Sequence, residues 1–194
     1  MKRVVWGLAG KYCAGKNRAA KYLEAAGCLV LDADKMGHIV LEEQKGAVVA
    51  HFGADSLDSH GKIDRRALGA KVFGNPEELK ALERIVHPPV IKRIKDEIES
   101  PDGHPLVINA ALLFSSNLYE LCDKVIWVSA PLWVRIKRGK SRDGFTLFQV
   151  LKRIWTQRKL SPQPWRKDVD IYSIPNPGSE KVLKAGIGKF LERE

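Results

Sequence analysis

The chain has 194 residues, 44% of them hydrophobic and 29% charged, which is typical of a globular domain with a substantial core. The sequence has no apolar run of the roughly 20 residues that a membrane-spanning helix needs, so we expect no membrane partner. Its three cysteines, Cys13, Cys28 and Cys122, form no CxxC pair, which argues against a zinc site and favours a cytoplasmic location. The formal net charge of +10 predicts an anionic partner, either a polyphosphate ligand or nucleic acid, although a solvated basic surface gives the same charge.

Short apolar runs alternate with helix-like stretches along the chain. The runs are residues 4–10, 28–32, 105–114, 124–130 and, more weakly, 170–176. The first four are apolar almost throughout, which is typical of strands covered by helices on both faces. This alternation predicts an α/β fold with a parallel sheet and right-handed crossovers.

Helix boundaries follow from capping residues and apolar spacing. Residues 16–26 form one predicted helix, which Gly27 ends. Asn75 precedes a proline and two acids, the pattern of a capped helix start, and Pro88 and Pro89 should break or bend this helix before residues 90–98 resume it. Further helices are predicted over residues 145–158 and 178–191.

The connection between the second and third predicted strands is unusually long. It covers residues 35–103 and is rich in helical patterns, whereas a simple crossover needs only about a dozen residues. We interpret it as an inserted substrate-binding lobe.

A glycine-rich segment follows the first strand and opens the first helix. Residues 10–16 match GxxxxGK, with Asn17 where Ser or Thr is expected. Glycines let the backbone wrap a phosphate with its N–H groups, the helix adds its positive end, and Lys16 reaches the β- and γ-phosphates. A Ser or Thr hydroxyl at position 17 would bind Mg²⁺, and the Asn17 oxygen is a neutral substitute.

Two carboxylates end the second predicted strand. In open α/β sheets ligands bind at the carboxyl ends of the strands, and Asp32 and Asp34 share a face if the extended geometry persists. One could orient or deprotonate a hydroxyl and the other could hold Mg²⁺ through water, but Asp34 also suits a helix cap.

An ordered set of motifs resembles the dephospho-CoA kinase family. After GxxxxGK come DADxxxH at 32–38, HFG at 51–53, GxIDRxxL…VF at 61–73, LExxxHP at 82–88 and LLF at 112–114. They are followed by RxxxRDG at 138–144, RxxxQ at 153–157 and NxG at 176–178. Each block alone is weak, but their order is specific, and the resemblance spans residues 4–180.

The resemblance implies the three-layer fold of P-loop NTPases with five parallel strands, an acceptor-binding helical insertion and a basic lid. Residues 1–194 would form one kinase domain, with a CoA-accepting lobe at 35–103 and the lid at 132–162. The implied reaction moves the ATP γ-phosphoryl group, with Mg²⁺, to the ribose 3′-hydroxyl of dephospho-CoA. These two small molecules are the expected partners, with no nucleic acid, and the sequence leaves the oligomeric state open.

The loop pattern and the resemblance together assign roles to particular residues. The residues expected to be catalytic are Lys16, Asp34, Arg138 and Arg142. Those expected to bind ATP are Gly10, Lys11, Tyr12, Cys13, Ala14, Gly15, Lys16, Asn17, Arg18 and Arg142. Asp34, His38, Arg65, His87 and Leu112 should bind the acceptor, and Asn17 and Asp32 should hold the metal.

The chain departs from the family pattern at several positions. Asn109 stands where the family has Asp, Ser115 where it has Glu, and Lys11 and Tyr12 where it has small residues. These departures leave open a related P-loop kinase with another acceptor, or a nucleotide-binding relative without catalysis. The charge leaves open a nucleic-acid-binding protein, although no recognition motif supports it.

Overall fold

Two units make up the computed structural model, which describes residues 3–158, 160–165 and 167–194. The first unit contains the chain up to Asp32 together with Pro101–Glu194, and the second contains Ala33–Ser100. Within the described residues, no helix has both the length and the apolar character needed to cross a membrane.

The first unit is built on a five-stranded parallel sheet. Its strands are β1 (Val5–Gly10), β2 (Leu29–Asp32), β3 (Leu106–Asn109), β4 (Lys124–Ser129) and β5 (Asp170–Pro175). They lie in the order β2-β3-β1-β4-β5, and every neighbouring pair is parallel. The predicted five-stranded parallel α/β fold is therefore confirmed, with β1 at its centre.

Helices and short 3₁₀ turns connect the strands. The described α-helices are α1 (Lys16–Ala25), α2 (Ala33–Glu43), α3 (Lys45–Phe52), α4 (Arg65–Val72), α5 (Pro76–Glu99), α6 (Leu132–Asp143), α7 (Leu147–Thr156) and α8 (Glu180–Leu191). The 3₁₀ turns are Ala54–Ser56, Leu118–Leu121 and Gln163–Trp165. Lys159, which falls within the predicted lid, lies outside the described residues.

A buried apolar cluster fixes β1 and α1, the two elements that flank the glycine-rich loop. Leu8 of β1, Leu23 of α1 and Phe190 of α8 are fully buried in it. The ring of Trp6 meets that of Phe190 edge-on, with 4.8 Å between the ring centroids. Burial of each such side chain contributes roughly 1.5–3 kcal/mol, so the loop is anchored at both ends by packing.

The end of α1 confirms the predicted glycine stop. Gly27 has a φ of +90°, and its N–H donates to the Glu24 carbonyl at 3.0 Å. The Cys28 N–H donates to the Leu23 carbonyl, also at 3.0 Å. This pair of bonds is a Schellman motif, which satisfies carbonyls left over at a helix end.

The second unit is a group of helices around its own apolar core. The core residues are Leu41, Val48, Phe52, Ile63, Leu68 and Ala81. Asn75 caps α5 as predicted, accepting bonds from the N–H groups of Glu77 and Glu78. Asp64 caps α4 by accepting from the N–H groups of Arg66 and Ala67, which brings residue 65 to the start of a helix.

Three elements differ from the expectations. Of the predicted break or bend at Pro88 and Pro89, the break does not occur, because two adjacent prolines remove only two N–H donors and the bonds on both sides carry α5 through. The third strand ends at Asn109, and the apolar residues after it lie outside the sheet, where Ala110, Leu113 and Phe114 are buried but Leu112 is exposed. Finally, β2 is only half-buried along its length because it is an edge strand.

Extended geometry does not persist between the two predicted site carboxylates. Asp32 is the last residue of β2, whereas Asp34 lies in the first turn of α2, which begins at Ala33. The condition under which both were expected to share a strand face is therefore not met. A carboxylate in the first turn is favourable, because it faces the positive end of the helix dipole.

Candidate active site

The glycines of the loop between β1 and α1 are required by close packing. A Cβ atom on Gly10 would lie 2.5 Å from the carbonyl oxygen of Val128. Gly15 has a φ of +104°, and a Cβ there would lie 2.2 Å from Nδ2 of Asn176. Between them, Cys13 adopts a φ of +57° and the Ala14 N–H donates to the Lys11 carbonyl at 2.9 Å. Any side chain at positions 10 or 15 would displace the loop from its neighbours.

Three consecutive loop carbonyls accept hydrogen bonds from side chains outside the loop. Arg135 Nε donates to the Tyr12 carbonyl at 2.8 Å. Arg138 Nη1 donates to the carbonyls of Cys13 and Ala14 at 3.3 and 3.1 Å, and Asn176 Nδ2 also reaches Ala14 O, at 2.8 Å. In a planar trans peptide the C=O and the N–H of the following residue point in opposite directions. Because the side-chain donors hold the carbonyls on one side of the loop, the following N–H groups point to the other side. The N–H groups of Cys13 and Gly15 are held in this way, on either side of the Ala14 N–H that bonds to the Lys11 carbonyl, and such N–H groups form an anion-binding concavity.

Asn176 and Arg138 form the buried support of the loop. Asn176 is 2% exposed, donates its N–H to the Ser129 carbonyl at 2.7 Å and accepts from Arg138 Nη2 at 3.0 Å. Burial, reinforced by the positive charge of Arg18, lowers the pKa of Arg138. The structure thus places Arg138 against the loop carbonyls, and its expected catalytic role stays a prediction.

The basic side chains of the loop and of α1 have distinct surroundings. Lys16 is the first residue of α1 and is half-buried, whereas Asn17 and Arg18 are exposed. Arg18 lies 3.6 Å from the carboxylate of Glu180. Burial, and then the charge of Arg135, lower the pKa of Lys11. Together with the helix end, these cations give the loop a positive field.

Helices α6 and α7 bring the predicted lid arginine to the loop. Arg142 is bonded to both Asp143 oxygens, Nε to Oδ1 at 2.6 Å and Nη2 to Oδ2 at 2.9 Å. This pairing, with a hydrogen bond from the Tyr12 hydroxyl, lowers the pKa of Asp143 to about 2. The Arg142 guanidinium carbon lies 5.5 Å from the centre of the Tyr12 ring. The Arg142 cation therefore lies beside a residue of the loop.

Oxygen donors meet at the carboxyl ends of β2 and β3. Asp32 is paired in the sheet register with Asn109, which is 3% exposed. The Asn109 Oδ1 atom is buried without a hydrogen-bond partner among the described residues. Carboxylate and amide oxygens suit Mg²⁺, and a buried orphan acceptor is a place for a metal-bound water.

The second unit brings together two of the predicted acceptor residues. His38 and Arg65 line one cavity of about 710 Å³, with Asp58, Ile63, Asp64 and Arg66 completing the lining. His87 lines a different cavity of about 400 Å³, beside Lys80 and Arg84. Asp34 is exposed in this unit, and Leu112 is 57% exposed after β3 in the first unit.

Residue-by-residue reasoning missed several side chains that hold the loop. Asn176, Asp143 and Gln157 were not assigned to the site, although Gln157 Oε1 accepts from the Tyr12 N–H at 2.5 Å. A signal was present, because the RxxxRDG, RxxxQ and NxG blocks contain all three. What spacing does not reveal is that distant parts of the chain converge on the same loop backbone.

The sheet order, the GxxxxGK loop after the central strand and the arginines around that loop define a P-loop kinase. The dephospho-CoA kinase family profile matches residues 4–174, so the chain belongs to that family. It is 36% identical to a dephospho-CoA kinase of Shouchella clausii over 181 residues, which cover 90% of each chain. A dephospho-CoA kinase of Thermobifida fusca is 35% identical, over 96% of this chain and 94% of the relative.

Solved structures share the fold of this chain. A protein from Thermus thermophilus superimposes with a TM-score of 0.85 and 28% identity, covering 100% of this chain and 98% of the other. A dephospho-CoA kinase from Campylobacter jejuni gives a TM-score of 0.65 at 24% identity, covering 100% and 98% of the two chains. At that identity the second match supports the fold alone.

Proposed function

We propose that this protein transfers the γ-phosphoryl group of ATP to the ribose 3′-hydroxyl of dephospho-CoA, releasing CoA and ADP. The observation that carries the proposal is the loop at residues 10–16, whose carbonyls are held by Arg135, Arg138 and Asn176. Such a loop is preorganised for a polyphosphate before the ligand arrives. Membership of the family supplies the acceptor.

The loop and its cations serve the ATP side of the reaction. Backbone N–H groups and the start of α1 bind the phosphates, and the Lys16 ammonium group binds the β- and γ-phosphates during transfer. Arg142 neutralises charge that develops on the transferred group. Phosphoryl transfer needs positioning and charge stabilisation more than covalent help, which suits this set of side chains.

Acceptor activation is assigned to Asp34. It accepts the proton of the attacking hydroxyl while the ribose oxygen forms a bond to the γ-phosphorus and the bridging oxygen leaves with ADP. Asp34 is exposed in the first turn of α2, where an attacking hydroxyl can reach its carboxylate. The cavity formed by His38 and Arg65 offers cationic and hydrogen-bonding groups to an anionic acceptor.

The metal belongs with the nucleotide. Asn17 and Asp32, together with the buried oxygen of Asn109, which is paired with Asp32 in the sheet register, would hold Mg²⁺, which would supply positive charge to the phosphates. Within the described chain, no group of three or more His, Cys, Asp or Glu residues could hold an ion by itself. This fits a cation that is bound largely by ATP phosphates. The cytoplasmic location expected from the sequence accords with three free thiols.

The test is product formation by the purified protein. With ATP, Mg²⁺ and dephospho-CoA, we expect CoA by mass spectrometry, one ADP for each CoA, and only traces of product from Lys16→Ala in the same time. Adenosine and other small hydroxyl compounds serve as comparison acceptors. Equal turnover of those acceptors, or ATP binding without any CoA, would contradict the proposal.

A further inference from the structure

Tyr12 contacts the lid helices through its backbone, its hydroxyl and its ring. Its N–H donates to Gln157 Oε1 at 2.5 Å, just beyond α7, and its carbonyl accepts from Arg135 Nε of α6 at 2.8 Å. Its hydroxyl donates to the carboxylate of Asp143, the last residue of α6. All three polar groups of one loop residue are therefore used to join the loop to the lid.

The ring of Tyr12 lies beside two lid arginines. The guanidinium carbons of Arg142 and Arg153 are 5.5 and 5.8 Å from the ring centre, within the range of cation–π attraction. Gly139 of α6 lies close to the same ring, since a Cβ there would be 3.2 Å from Tyr12 Cε1 and 3.0 Å from a Val150 methyl group. The glycine thus lets α6 approach both Tyr12 and α7.

We propose that Tyr12 is a positioning residue that fixes Arg142 and Arg153 beside the phosphate loop. The inference rests on the proposed function, because it gives these arginines the transferring phosphoryl group as their target. Tyr12 acts through them: its hydroxyl orients the Asp143 carboxylate, and that carboxylate holds Nε and Nη2 of Arg142. Nη1 of Arg142 lies outside this pair, so its N–H groups can donate to a phosphate oxygen.

The physical reason is the mobility of an exposed arginine. The Arg142 side chain is 58% exposed and would otherwise sample many rotamers. A cation stabilises a transition state only if its position is fixed before the charge develops. The hydroxyl and ring of Tyr12 and the Asp143 carboxylate together restrict Arg142. The Tyr12 ring also restricts Arg153, together with the Phe145 ring, whose centre lies 4.5 Å from the Arg153 guanidinium carbon.

The test removes the hydroxyl and keeps everything else. Tyr12→Phe leaves the backbone bonds to Arg135 and Gln157 and the ring beside the arginines unchanged. Because a hydrogen bond to a charged group is lost, we expect kcat to fall about tenfold, with KM for dephospho-CoA unchanged. Faster amide hydrogen exchange across residues 139–157 should accompany the fall.

The chain offers a matched control. Tyr22 of α1 also donates its hydroxyl to a carboxylate, that of Glu180, which belongs to α8 and not to the lid helices. Tyr22→Phe should leave lid exchange as in the wild type, and its effect on kcat should be much smaller than that of Tyr12→Phe, because Glu180 still pairs with Arg18. If Tyr12→Phe and Tyr22→Phe behave alike in both measurements, Tyr12 has no positioning role, and the same holds if Tyr12→Phe changes only thermal stability.

A double-variant cycle tests the route through Asp143. Asp143→Asn should lower kcat by a similar factor, and Tyr12→Phe combined with Asp143→Asn should be no slower than Asp143→Asn alone. If the fold-losses of kcat in the two single variants multiply in the double variant, the proposal is wrong. Lid exchange and ATP binding need no acceptor, so they test Tyr12 even if the wild type makes no CoA; an unchanged exchange rate in Tyr12→Phe would then reject the inference.

Discussion

The arginines at the loop of the first unit and those at the larger described cavity of the second unit differ in what they bind. In the first unit, Arg135 and Arg138 donate to loop carbonyls, and burial lowers the pKa of both. In the second unit, Arg65 and Arg66 are exposed at a cavity, and their side chains make no hydrogen bond or ion pair within residues 33–100. Arg135 and Arg138 are bound to loop carbonyls, whereas Arg65 and Arg66 can bind a ligand in the cavity.

This difference separates two functions of positive charge in one chain. A cation that holds backbone carbonyls determines the shape of a site, so its loss should affect folding and ATP use together. A solvated cation at a cavity contributes only when an anion arrives, so its loss should affect binding of that anion alone. Both kinds contribute equally to the net charge of +10, which therefore does not distinguish them.

The largest effect is expected at Lys16, whose charge belongs to the ATP side. Lys16→Ala should lower kcat by about 10³-fold while the protein stays folded, because a preorganised charge at the phosphates is lost. Lys21→Ala, an exposed lysine on the same helix, is the control. Steady-state kinetics measures kcat, and circular dichroism measures whether the variant is folded. Turnover near that of the wild type would mean that Lys16 has no part in the mechanism.

Arg138→Ala should sharpen the comparison, since it leaves loop carbonyls without a donor. We expect about 1–3 kcal/mol of lost stability together with a fall in kcat/KM for ATP. Chemical denaturation and kinetics on the same preparations test this, with exposed Lys137→Ala on the same helix as control. Unchanged stability with lost activity would show that Arg138 contacts the ligand and does not support the loop.

How far the sequence predicts the fold and the site depends on the range of the interactions. The strands, the Gly27 stop and the Asn75 cap are local, and all were predicted from apolar spacing and capping chemistry. The continuity of α5 through two prolines was not, because bonds on both sides outweigh two missing donors. The long-range bond between Asn176 and Ala14 joins residues 162 positions apart, and no spacing rule predicts it.

Arg65→Ala is expected to behave oppositely to Arg138→Ala. KM for dephospho-CoA should rise about tenfold through loss of a charge-assisted hydrogen bond, with stability unchanged within about 0.5 kcal/mol. Arg93→Ala is the control in the same unit, because Arg93 is paired with Glu43 and does not line the cavity. A fall in stability without a change in KM would mean that Arg65 supports the fold and does not bind the acceptor.

The smallest effect is expected at position 17. Asn17→Thr replaces one neutral oxygen donor by another, so the Mg²⁺ concentration for half-maximal rate should stay the same or fall by no more than about threefold. A magnesium titration at fixed ATP measures it. A large loss of activity would mean that Asn17 is fitted to this particular loop and is no substitute for a hydroxyl residue.

The most direct test of the division between the units is a pair of calorimetric titrations, with ATP and with dephospho-CoA, on Arg138→Ala and Arg65→Ala. Arg138→Ala should lose affinity for ATP and keep that for dephospho-CoA, and Arg65→Ala should do the reverse. If both variants lose the same ligand, or if Arg65→Ala weakens ATP binding alone, the proposed separation of loop-holding and acceptor-binding cations is contradicted.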